Sequence, residues 1–385
     1  MKFTEYVEVN PKTNLKKGEY APFVEMANVS ITYREPEKIE YKKYTSGPKF
    51  QNGDSVVAKI EPCLQNGKRF FWKSDKIGFG STEYIVFRAK EGKMDSKYLF
   101  YLLKTDYIKK SMVSSMVGAT GRQRVNNDIF GQIEIVVPNI EKQKKIGRTL
   151  FLYDDLIENN QKQIKLLEEA AQRLYKEWFV DLRFPGHENT KIVDGLPEGW
   201  SKSTVGNICK LRKVVITPDK IESNTPYIGL EHMPRNDICL STWGKSEEIN
   251  SNKFIYLKKD VLFGKIRPYF HKVGFALNDG ITSTDTMVMV ADQNLWGLLL
   301  VTVSSDAFVD FSYQNCKEGA KMPRVDWKQM EKYAIMIADQ ATQKLFEQEI
   351  LVITNKISAL AFQCRSLREA RDRMLPKLMG GEVEA

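Results

Sequence analysis

Apolar side chains recur with an alternating spacing of four and three residues over two stretches of the chain, residues 146–178 and 346–378. This heptad spacing predicts two long helices of about 35–40 residues, or roughly 50–60 Å each. The seam positions are Ile146, Leu150, Ile157, Ile164, Leu167 and Leu174 in the first helix and Ile350, Ile353, Ile357, Leu360, Leu367 and Met374 in the second. Asn160 lies within the first seam, and Arg371 is the only break in the second.

Two seams of matching length most simply pair with each other, as an antiparallel coiled coil. The alternative is that each helix packs on its own globular domain. Seams of this length exceed the surface that a small domain covers, so the paired arrangement is favoured. An antiparallel pair of repeated helices would place one globular part at each of its ends.

Short runs rich in β-branched and aromatic residues predict strands ahead of each long helix. In the first half these runs are residues 54–60, 70–72, 83–87 and 132–137, with a helix predicted over residues 96–112. In the second half they are residues 261–263, 286–290 and 333–337, with a helix near residues 295–303. Residues 184–200 contain several Pro, Gly, Asn and Asp residues, which predicts a linker between the halves.

The order of elements repeats because the sequence itself repeats. Segment 53–62 has the same spacing of Asp, Lys, Ile and Pro as segment 259–268. The offset is 206 between Asp54 and Asp260 but 200 between Arg124 and Arg324, so the globular parts differ by six net residues. We predict an α+β fold with a pseudo-two-fold internal repeat, in which a long antiparallel helix pair (a coiled coil) separates two mixed α/β domains. The predicted boundaries are 1–138 for the first domain, 139–183 for the central helix, 184–338 for the linker and second domain, and 339–385 for the C-terminal helix and tail.

Composition narrows the class of protein. The chain has 385 residues, a formal charge of +9 and an isoelectric point near 9.0, which fits either a mildly basic soluble protein or a protein with a nucleic-acid partner. No apolar run reaches the roughly 20 residues that span a bilayer, and the first residues lack a secretory leader. The five cysteines show no Cys-x-x-Cys spacing, so we expect neither zinc nor a disulfide framework, and a cytoplasmic location.

Motifs that carry chemistry are missing from the sequence. None of the Gly-Lys pairs belongs to a phosphate-binding loop, and no Pro-Pro pair supplies the motif of an adenine methyltransferase. Pro218-Asp219 begins a nuclease-like pattern, but Asn224 occupies the position where that pattern requires Lys. The three histidines are scattered. We therefore expect a chain that is not an enzyme and has no catalytic residue, metal or cofactor of its own.

Basic residues interleaved with aromatics remain as candidates for binding DNA, because Lys and Arg neutralise phosphates and Arg also reads guanine edges. A single such cluster is more simply explained as a solvated charged turn, but recurrence in both halves favours a functional role. The candidates are Lys68, Arg69, Lys73, Arg122, Arg124, Lys210, Arg212, Lys265, Arg267, Lys272, Lys321 and Arg324.

Three parts of the chain resemble the specificity (S) subunit of type I restriction-modification systems. Segment 161–200, which includes Trp178-Phe-Val-Asp-Leu-Arg-Phe-Pro-Gly186 and Leu196-Pro-Glu-Gly-Trp200, is similar to the central helix of the family and the entry to its second recognition domain. Segment 367–382 is similar to the C-terminal helix ending. The third part is the pattern that occurs in both residues 118–146 and 319–346. With the duplicated layout, the resemblance covers nearly the whole chain.

The resemblance implies a non-catalytic subunit with two target-recognition domains, each reading one half of a bipartite asymmetric DNA sequence. It implies that the helix pair sets the length of the spacer and docks two methyltransferase (M) subunits, and that motor-nuclease (R) subunits complete the assembly. The assembly would be an adenine-specific DNA methyltransferase and ATP-dependent endonuclease. The partner subunits would bind S-adenosylmethionine, ATP and Mg.

The first domain departs from this layout at its beginning. Leu196–Trp200 and about 25 further residues precede Pro226, whereas the first domain reaches the equivalent Pro22 almost at once. The opening strand of that domain is then either missing or supplied by the tail after Leu375. Two other classes remain open from sequence: a fused restriction or modification enzyme, which the missing motifs disfavour, and a coiled-coil scaffold that binds no DNA.

Overall fold

The computed structural model describes residues 1–31, 33–292, 294–316 and 322–384. The chain forms two compact units, one of Met1–Asn159 with Arg365–Ala385 and the other of Asn160–Cys364. The first long helix covers Ile140–Tyr175 and continues as a π-helical turn over Lys176–Val180, and the second covers Gln340–Gly380. The boundary between the units falls within both long helices, so each unit contains one globular part and a portion of each helix.

The first unit contains two four-stranded sheets. One has the strand order Val7–Val9, Tyr84–Ala89, Ser55–Ala58, Arg69–Phe71, and its neighbours are all antiparallel. The other has the order Glu40–Lys43, Tyr20–Val24, Gly78–Gly80, Lys49–Phe50, with one parallel pair, Tyr20–Val24 with Gly78–Gly80. The further elements are helices Ser96–Leu102 and Asp106–Ser114, the ladder of Met116–Val117 with Arg124–Val125, and 3₁₀ turns at Phe3–Glu5, Met26–Asn28 and Asn127–Gly131.

The second unit also contains two sheets, but the strands at the sheet edges differ from those of the first unit. Its larger sheet has the order Cys209–Leu211, Thr286–Ala291, Val261–Gly264, Val273–Ala276, Cys239–Leu240, and its smaller sheet has the order Val215–Ile216, Lys253–Tyr256, Gly280–Thr282, Tyr227–Ile228. Two-stranded ladders join Ser201–Thr204 to Ala334–Ile337 and Ile192–Val193 to Leu196–Pro197. The helices are Val205–Ile208, Trp296–Val303, Asp306–Gln314 and Trp327–Met330, and the 3₁₀ turns are His187–Asn189, Pro218–Lys220, Leu230–His232, Ser246–Glu248 and Pro268–Phe270.

The central strand of each unit is buried on both faces because it separates two cores. Val57 faces the core that contains the short helices and the long-helix residues, whereas Val56 faces the core shared with the other sheet. Val261 and Leu262 divide in the same way in the second unit. Successive side chains of a strand point to opposite faces, so an unbroken apolar run is expected in a strand covered on both sides.

The two long helices pack against each other antiparallel within each unit, as the sequence predicted. In the first unit Leu150 shares a core with Met374 and Leu378. In the second unit the ring of Trp178 lies 5.5 Å from that of Phe346. Residues further along the first helix therefore contact residues closer to the start of the second helix, as in an antiparallel pair. The buried seam side chains are Ile146, Leu150, Ile157, Ile350, Ile357 and Leu360, and the half-buried ones are Ile164, Leu167, Leu174, Ile353, Leu367 and Met374.

The polar residues of the seams pair with residues that the sequence did not identify as partners. Asn160 Nδ2 donates a hydrogen bond to Gln363 Oε1 over 3.3 Å. Arg371 is buried, and its Nη1 lies 2.5 Å from Asp154 Oδ1. Burial alone would raise the pKa of Asp154, but Lys104 and Arg371 outweigh burial and lower it. Arg371 therefore breaks the apolar pattern because a buried carboxylate lies across from it.

A different charge arrangement fixes each globular part to the first long helix. In the first unit the buried Arg34 donates to Asp155 over 2.7 Å and to Glu158 over 2.6 Å. Ile238 takes the equivalent place in the second unit, since Phe71 N and Phe275 N donate to the carbonyls of Arg34 and Ile238 respectively. The Ile238 amide donates over 2.9 Å to the buried Glu168 of the helix.

In the first unit, residues 132–137 do not form the strand that the sequence predicts. Residues 132–137 form only one bridge, Glu134 with Lys2, flanked by hydrogen bonds from Phe3 N to Ile133 O and from Ile135 N to Met1 O. The prediction of a strand there was wrong. In the second unit Ala334–Ile337 pairs with the four residues Ser201–Thr204, whereas in the first unit only the short segment 1–3 is available for pairing. The tail after Leu375 does not supply the strand, since it stays helical to Gly380 and buries Leu378.

The single helix predicted over residues 96–112 is two helices. Thr105 interrupts it in an extended conformation as the N-cap of Asp106–Ser114, and its hydroxyl donates to Leu102 O. Ser305 occupies the same place in the second unit and accepts a hydrogen bond from Phe308 N. Short hydroxyl side chains compete for backbone groups in this way and favour caps over helix interiors.

The carboxylate at the start of the first short helix comes from different places in the two units. In the first unit Asp95 caps its own helix by accepting from Tyr98 N, and a Cβ on Gly147 of the long helix would lie 2.7 Å from that carboxylate. In the second unit the long helix supplies the acid: Glu347 accepts from Gly297 N over 2.8 Å and from Leu298 N over 3.0 Å. Each arrangement satisfies amide groups that the start of a helix leaves without partners.

Substituting Arg371→Leu completes the apolar seam, yet we expect it to destabilise the first unit by about 3–5 kcal/mol, because Asp154 stays buried without its main cationic partner. The double substitution Asp154→Leu with Arg371→Leu should recover part of that loss, since it removes both charges of this pair, although Lys104 and Tyr101 also lose Asp154 as a partner. Urea unfolding followed by circular dichroism measures both effects. Arg373→Leu on the exposed face is the matched control, and a single Arg371→Leu variant as stable as that control would contradict the prediction.

Glu168 should make the second unit less stable as the pH rises. Burial and the charge of Asp237 raise the pKa of Glu168 from 4.5 to about 8, and the backbone hydrogen bonds from Ile238 and Cys239 oppose that effect. The folded state thus holds a proton that the unfolded chain releases, and stability falls between about pH 4.5 and 8. Urea titration by tryptophan fluorescence should show this slope reduced in Glu168→Gln and unchanged in the exposed control Glu169→Gln. Equal slopes in wild type and Glu168→Gln would contradict it.

Candidate nucleic-acid interface

The loop that contains Arg122 and Arg124 is fastened to the end of the central strand in the first unit. Ile60 and Arg124 form a bridge, Glu61 N donates to Gln123 O over 2.9 Å, and Val125 N donates to Lys59 O over 3.0 Å. Gly121 N also donates to a Glu61 carboxylate oxygen over 3.0 Å. The loop is therefore held at its base while Arg122 and Arg124 are exposed.

Arg124 forms a two-pronged ion pair with Glu83. Its Nε lies 2.9 Å from Glu83 Oε2, and its Nη2 lies 2.8 Å from Oε1. The hydrogen bond from Arg124 lowers the pKa of Glu83, and the same bond raises the pKa of Arg124. The Arg124 side chain remains 48% exposed and that of Glu83 23% exposed. The pair is thus preformed and open to solvent.

The second unit builds the same corner. Ile266 and Arg324 form a bridge, Arg267 N donates to Pro323 O over 2.8 Å, and Val325 N donates to Lys265 O over 3.0 Å. Arg324 Nη2 donates to Asp285 Oδ1 over 2.6 Å. We refer to Glu83 with Arg124 and Asp285 with Arg324 as the acid–arginine pairs.

A tight turn beside the second corner presents an aromatic ring to solvent. Arg267 and His271 lie on either side of the 3₁₀ turn Pro268–Phe270, and both have a left-handed conformation with φ of 51° and 50°. Residues other than glycine rarely adopt this conformation, and it is often found at functional sites. Tyr269 is 47% exposed, and the Arg235 guanidinium lies 3.9 Å from the centre of the Phe270 ring.

Lys265 and Arg267 lie at this corner but are only half-exposed. Lys265 Nζ donates to Thr284 O over 2.6 Å. Burial lowers the pKa of Lys265, and the charge of Asp285 opposes that effect. Both predicted residues are thus close to Arg324, and their side chains partly support the corner.

Four predicted candidates point inward and have structural partners. Lys68 Nζ donates to Met26 O over 2.7 Å, and Lys272 makes the equivalent bond to Leu230 O. Arg69 Nη1 donates to Leu103 O over 2.7 Å, and Arg212 Nε donates to Asp260 Oδ2 over 2.8 Å. Burial lowers the pKa of Arg69 to about 10. All four residues are half-buried and have structural partners, and their contact with DNA stays a prediction.

Lys68 and Lys272 occupy equivalent positions in the two units. Lys68 and Lys272 each precede the strand that pairs with the central strand. The aromatics interleaved with the first cluster are Phe70, Phe71 and Trp72, and all three are buried. That interleaving comes from a core strand and not from a surface that stacks on bases.

The remaining candidates are exposed or undescribed. Lys73 and Lys210 are exposed, as are Arg122, Arg124 and Arg324. Lys321 lies outside the described residues.

An exposed aromatic and lysine patch on the smaller sheet of the first unit was missed from sequence. Lys42 Nζ lies 4.3 Å from the centre of the Phe23 ring, and Lys76 Nζ lies 5.2 Å from that of Tyr41. Tyr20 on the neighbouring strand is 69% exposed. Such contacts are favourable cation–π interactions. The signal was the run Tyr41-Lys-Lys-Tyr44, which lies in and directly after the edge strand Glu40–Lys43 and is not among the sequence-predicted candidates.

In the part of the chain that the structure describes, no helix is long and apolar enough to cross a membrane. The described residues also do not bring three or more His, Cys, Asp or Glu side chains together where they could hold a metal ion.

Comparison with known proteins shows which proteins this chain resembles. Residues 7–169 match the type I restriction modification DNA specificity domain. The chain is 25% identical over 318 residues to the type I restriction enzyme MjaIX specificity subunit of Methanocaldococcus jannaschii, covering 75% of this chain and 69% of that protein. It is 34% identical over 216 residues to the MjaVIII specificity subunit of the same organism, covering 56% of this chain and 43% of that protein.

The fold agrees with the sequence matches. The crystal structure of the S subunit of a type I restriction-modification system from M. genitalium aligns with 98% of this chain and 95% of its own, with a TM-score of 0.57 and 16% identity. The chain is therefore similar to the specificity subunits of type I restriction-modification systems in sequence and in fold, as the sequence resemblance indicated. The relatives are specificity subunits, which agrees with the expectation that this chain is not an enzyme.

Proposed function

We propose that this chain reads a bipartite, asymmetric sequence of double-stranded DNA, with one half read by each globular part. The observation that carries the proposal is the duplicated corner: each unit exposes an arginine beside an acid, on a loop fastened to its central strand. Arginine is the side chain that most often reads guanine in the major groove. The proposed recognition domains keep the boundaries 1–138 and 184–338.

The long helices are proposed to set the length of the spacer between the two half-sequences. Residues that continue a heptad seam keep their register when whole heptads are added, so helix length is a suitable measure of distance. The same helices would dock two methyltransferase subunits. Large apolar side chains exposed on them support a protein partner: Leu152, Leu156, Leu166, Leu345, Val352 and Phe362. Motor-nuclease subunits would join through that assembly, and the partners would bind S-adenosylmethionine, ATP and Mg.

Binding to DNA should weaken steeply with salt, which distinguishes this proposal from a scaffold that binds no DNA. Each phosphate neutralised contributes about −0.9 to the slope of log K against log salt. For the full-length chain and a random-sequence duplex, we expect Arg122→Ala with Lys210→Ala to make that slope less negative by up to about 1.8. Fluorescence anisotropy at 50–200 mM salt measures it.

A matched control removes the same charge elsewhere. Lys144 and Arg148 are exposed on the first long helix, so Lys144→Ala with Arg148→Ala should change the slope much less. A flat salt dependence of the wild-type chain would contradict the proposal of DNA reading.

Lengthening both helices should lengthen the spacer without changing the half-sequences. Seven residues inserted after Asn159 and seven after Cys364 preserve the heptads and add about 10.5 Å, or about three base pairs. Selection of bound duplexes from a randomised library, followed by sequencing, reads out both quantities. Four residues inserted in the first helix alone rotate one part of it by about 40° and should abolish selection. Changed half-sequences with an unchanged spacer would refute the proposed role of the helices.

A further inference from the structure

We infer that Glu83 and Asp285 are positioning residues that hold Arg124 and Arg324 away from DNA phosphates, so that each arginine engages DNA where a base pair satisfies both members of its acid–arginine pair. This inference rests on the proposed DNA-reading function and assigns a selective role to two acids that the sequence analysis did not consider.

The two pairs are built in the same way from different residues. Each acid directly precedes a strand, and its carbonyl accepts a hydrogen bond of 2.8 Å from Lys59 N or Lys265 N. The acid is Glu in one unit and Asp in the other, and the intervening loops differ in sequence. The ion pair is kept nonetheless, at 2.8 Å in one unit and 2.6 Å in the other.

Stability does not account for keeping these pairs. The arginine side chains are 48% and 58% exposed, and exposed ion pairs contribute little to stability. The backbone bonds from Val125 N and Val325 N already fasten each loop. A pair that is exposed, repeated and of little structural value is more readily explained by what it does to a ligand.

The geometry explains how a pair would discriminate. Glu83 occupies the fork of Arg124, which is the same edge that binds a phosphate or the O6 and N7 atoms of guanine. A phosphate offers acceptors only, so an arginine that moves to it leaves a carboxylate unpaired beside the polyanion. A G·C pair offers two acceptors on guanine and an amino donor on cytosine, which satisfy the arginine and the acid together. Each pair therefore favours a G·C base pair over phosphate.

The test compares the full-length wild type with Glu83→Gln and Asp285→Asn on two probes: a random-sequence duplex and a duplex selected from a randomised library by the wild type. Removing the acid should tighten binding to the random duplex about twofold to fivefold, the range that an exposed ion pair supports. It should also make the salt slope steeper by up to about 0.9, because the released arginine gains one phosphate. The affinity ratio of selected to random duplex should fall, and one G·C position of one half-sequence should relax.

Two control variants separate this role from a general charge effect and from misfolding. Glu83→Asp keeps the carboxylate and should retain the wild-type ratio. Glu141→Gln removes the acid of another exposed ion pair, with Lys144, and should leave the ratio and the G·C position unchanged. If Glu83→Gln behaves like Glu141→Gln, or weakens binding to both duplexes in parallel, the inference is overturned. Absence of salt-dependent duplex binding by the wild type would instead overturn the proposed function.

Discussion

The apolar seam of the long helices is shared between two tasks, and the rest of the fold depends on it. The side chains that join the helices also complete the core of the globular part in each unit, so Leu150 packs with Met374 and also belongs to the core of Tyr101 and Phe71. Gly297 in the second unit packs so closely on the helix that a Cβ there would lie 2.9 Å from that of Ile350. Helix pairing and packing on a domain, which seemed to be alternatives from sequence, are therefore one interaction.

Sequence predicted best what is periodic and long. The heptad spacing predicted helices at 139–183 and 339–385, and the structure has them at Ile140–Tyr175 and Gln340–Gly380. It failed where the outcome depends on a partner elsewhere in the chain. Residues 132–137 have the composition of a strand but pair only with the short segment at residues 1–3. Arg371 interrupts the apolar spacing of the second helix, and the sequence did not identify Asp154 as its partner.

The candidate site was harder to predict because repeated charged residues have two origins. Lys68 and Lys272 recur since each bonds a backbone carbonyl at an equivalent place, which is a requirement of the fold. Asp54 and Asp260 recur as buried acids, although Arg88 pairs with the first and Arg212 with the second. Arg124 and Arg324 recur on the surface. Spacing along the sequence does not distinguish inward from outward side chains in strands of three or four residues, so recurrence alone does not show which basic residues are exposed.

The carboxylate that caps the first short helix comes from the globular part in one unit and from the long helix in the other, so the two halves of the repeat are not interchangeable. The first globular part contributes its own acid, Asp95, and needs the space at Gly147, whereas the second contributes none and depends on Glu347 of its helix. A chain rearranged to join the first globular part to the second helix would bring the half-buried Asp95 and the buried Glu347 together as two like charges. The opposite junction would leave Gly297 N and Leu298 N without an acceptor. The residues at these positions thus match each globular part to its own long helix.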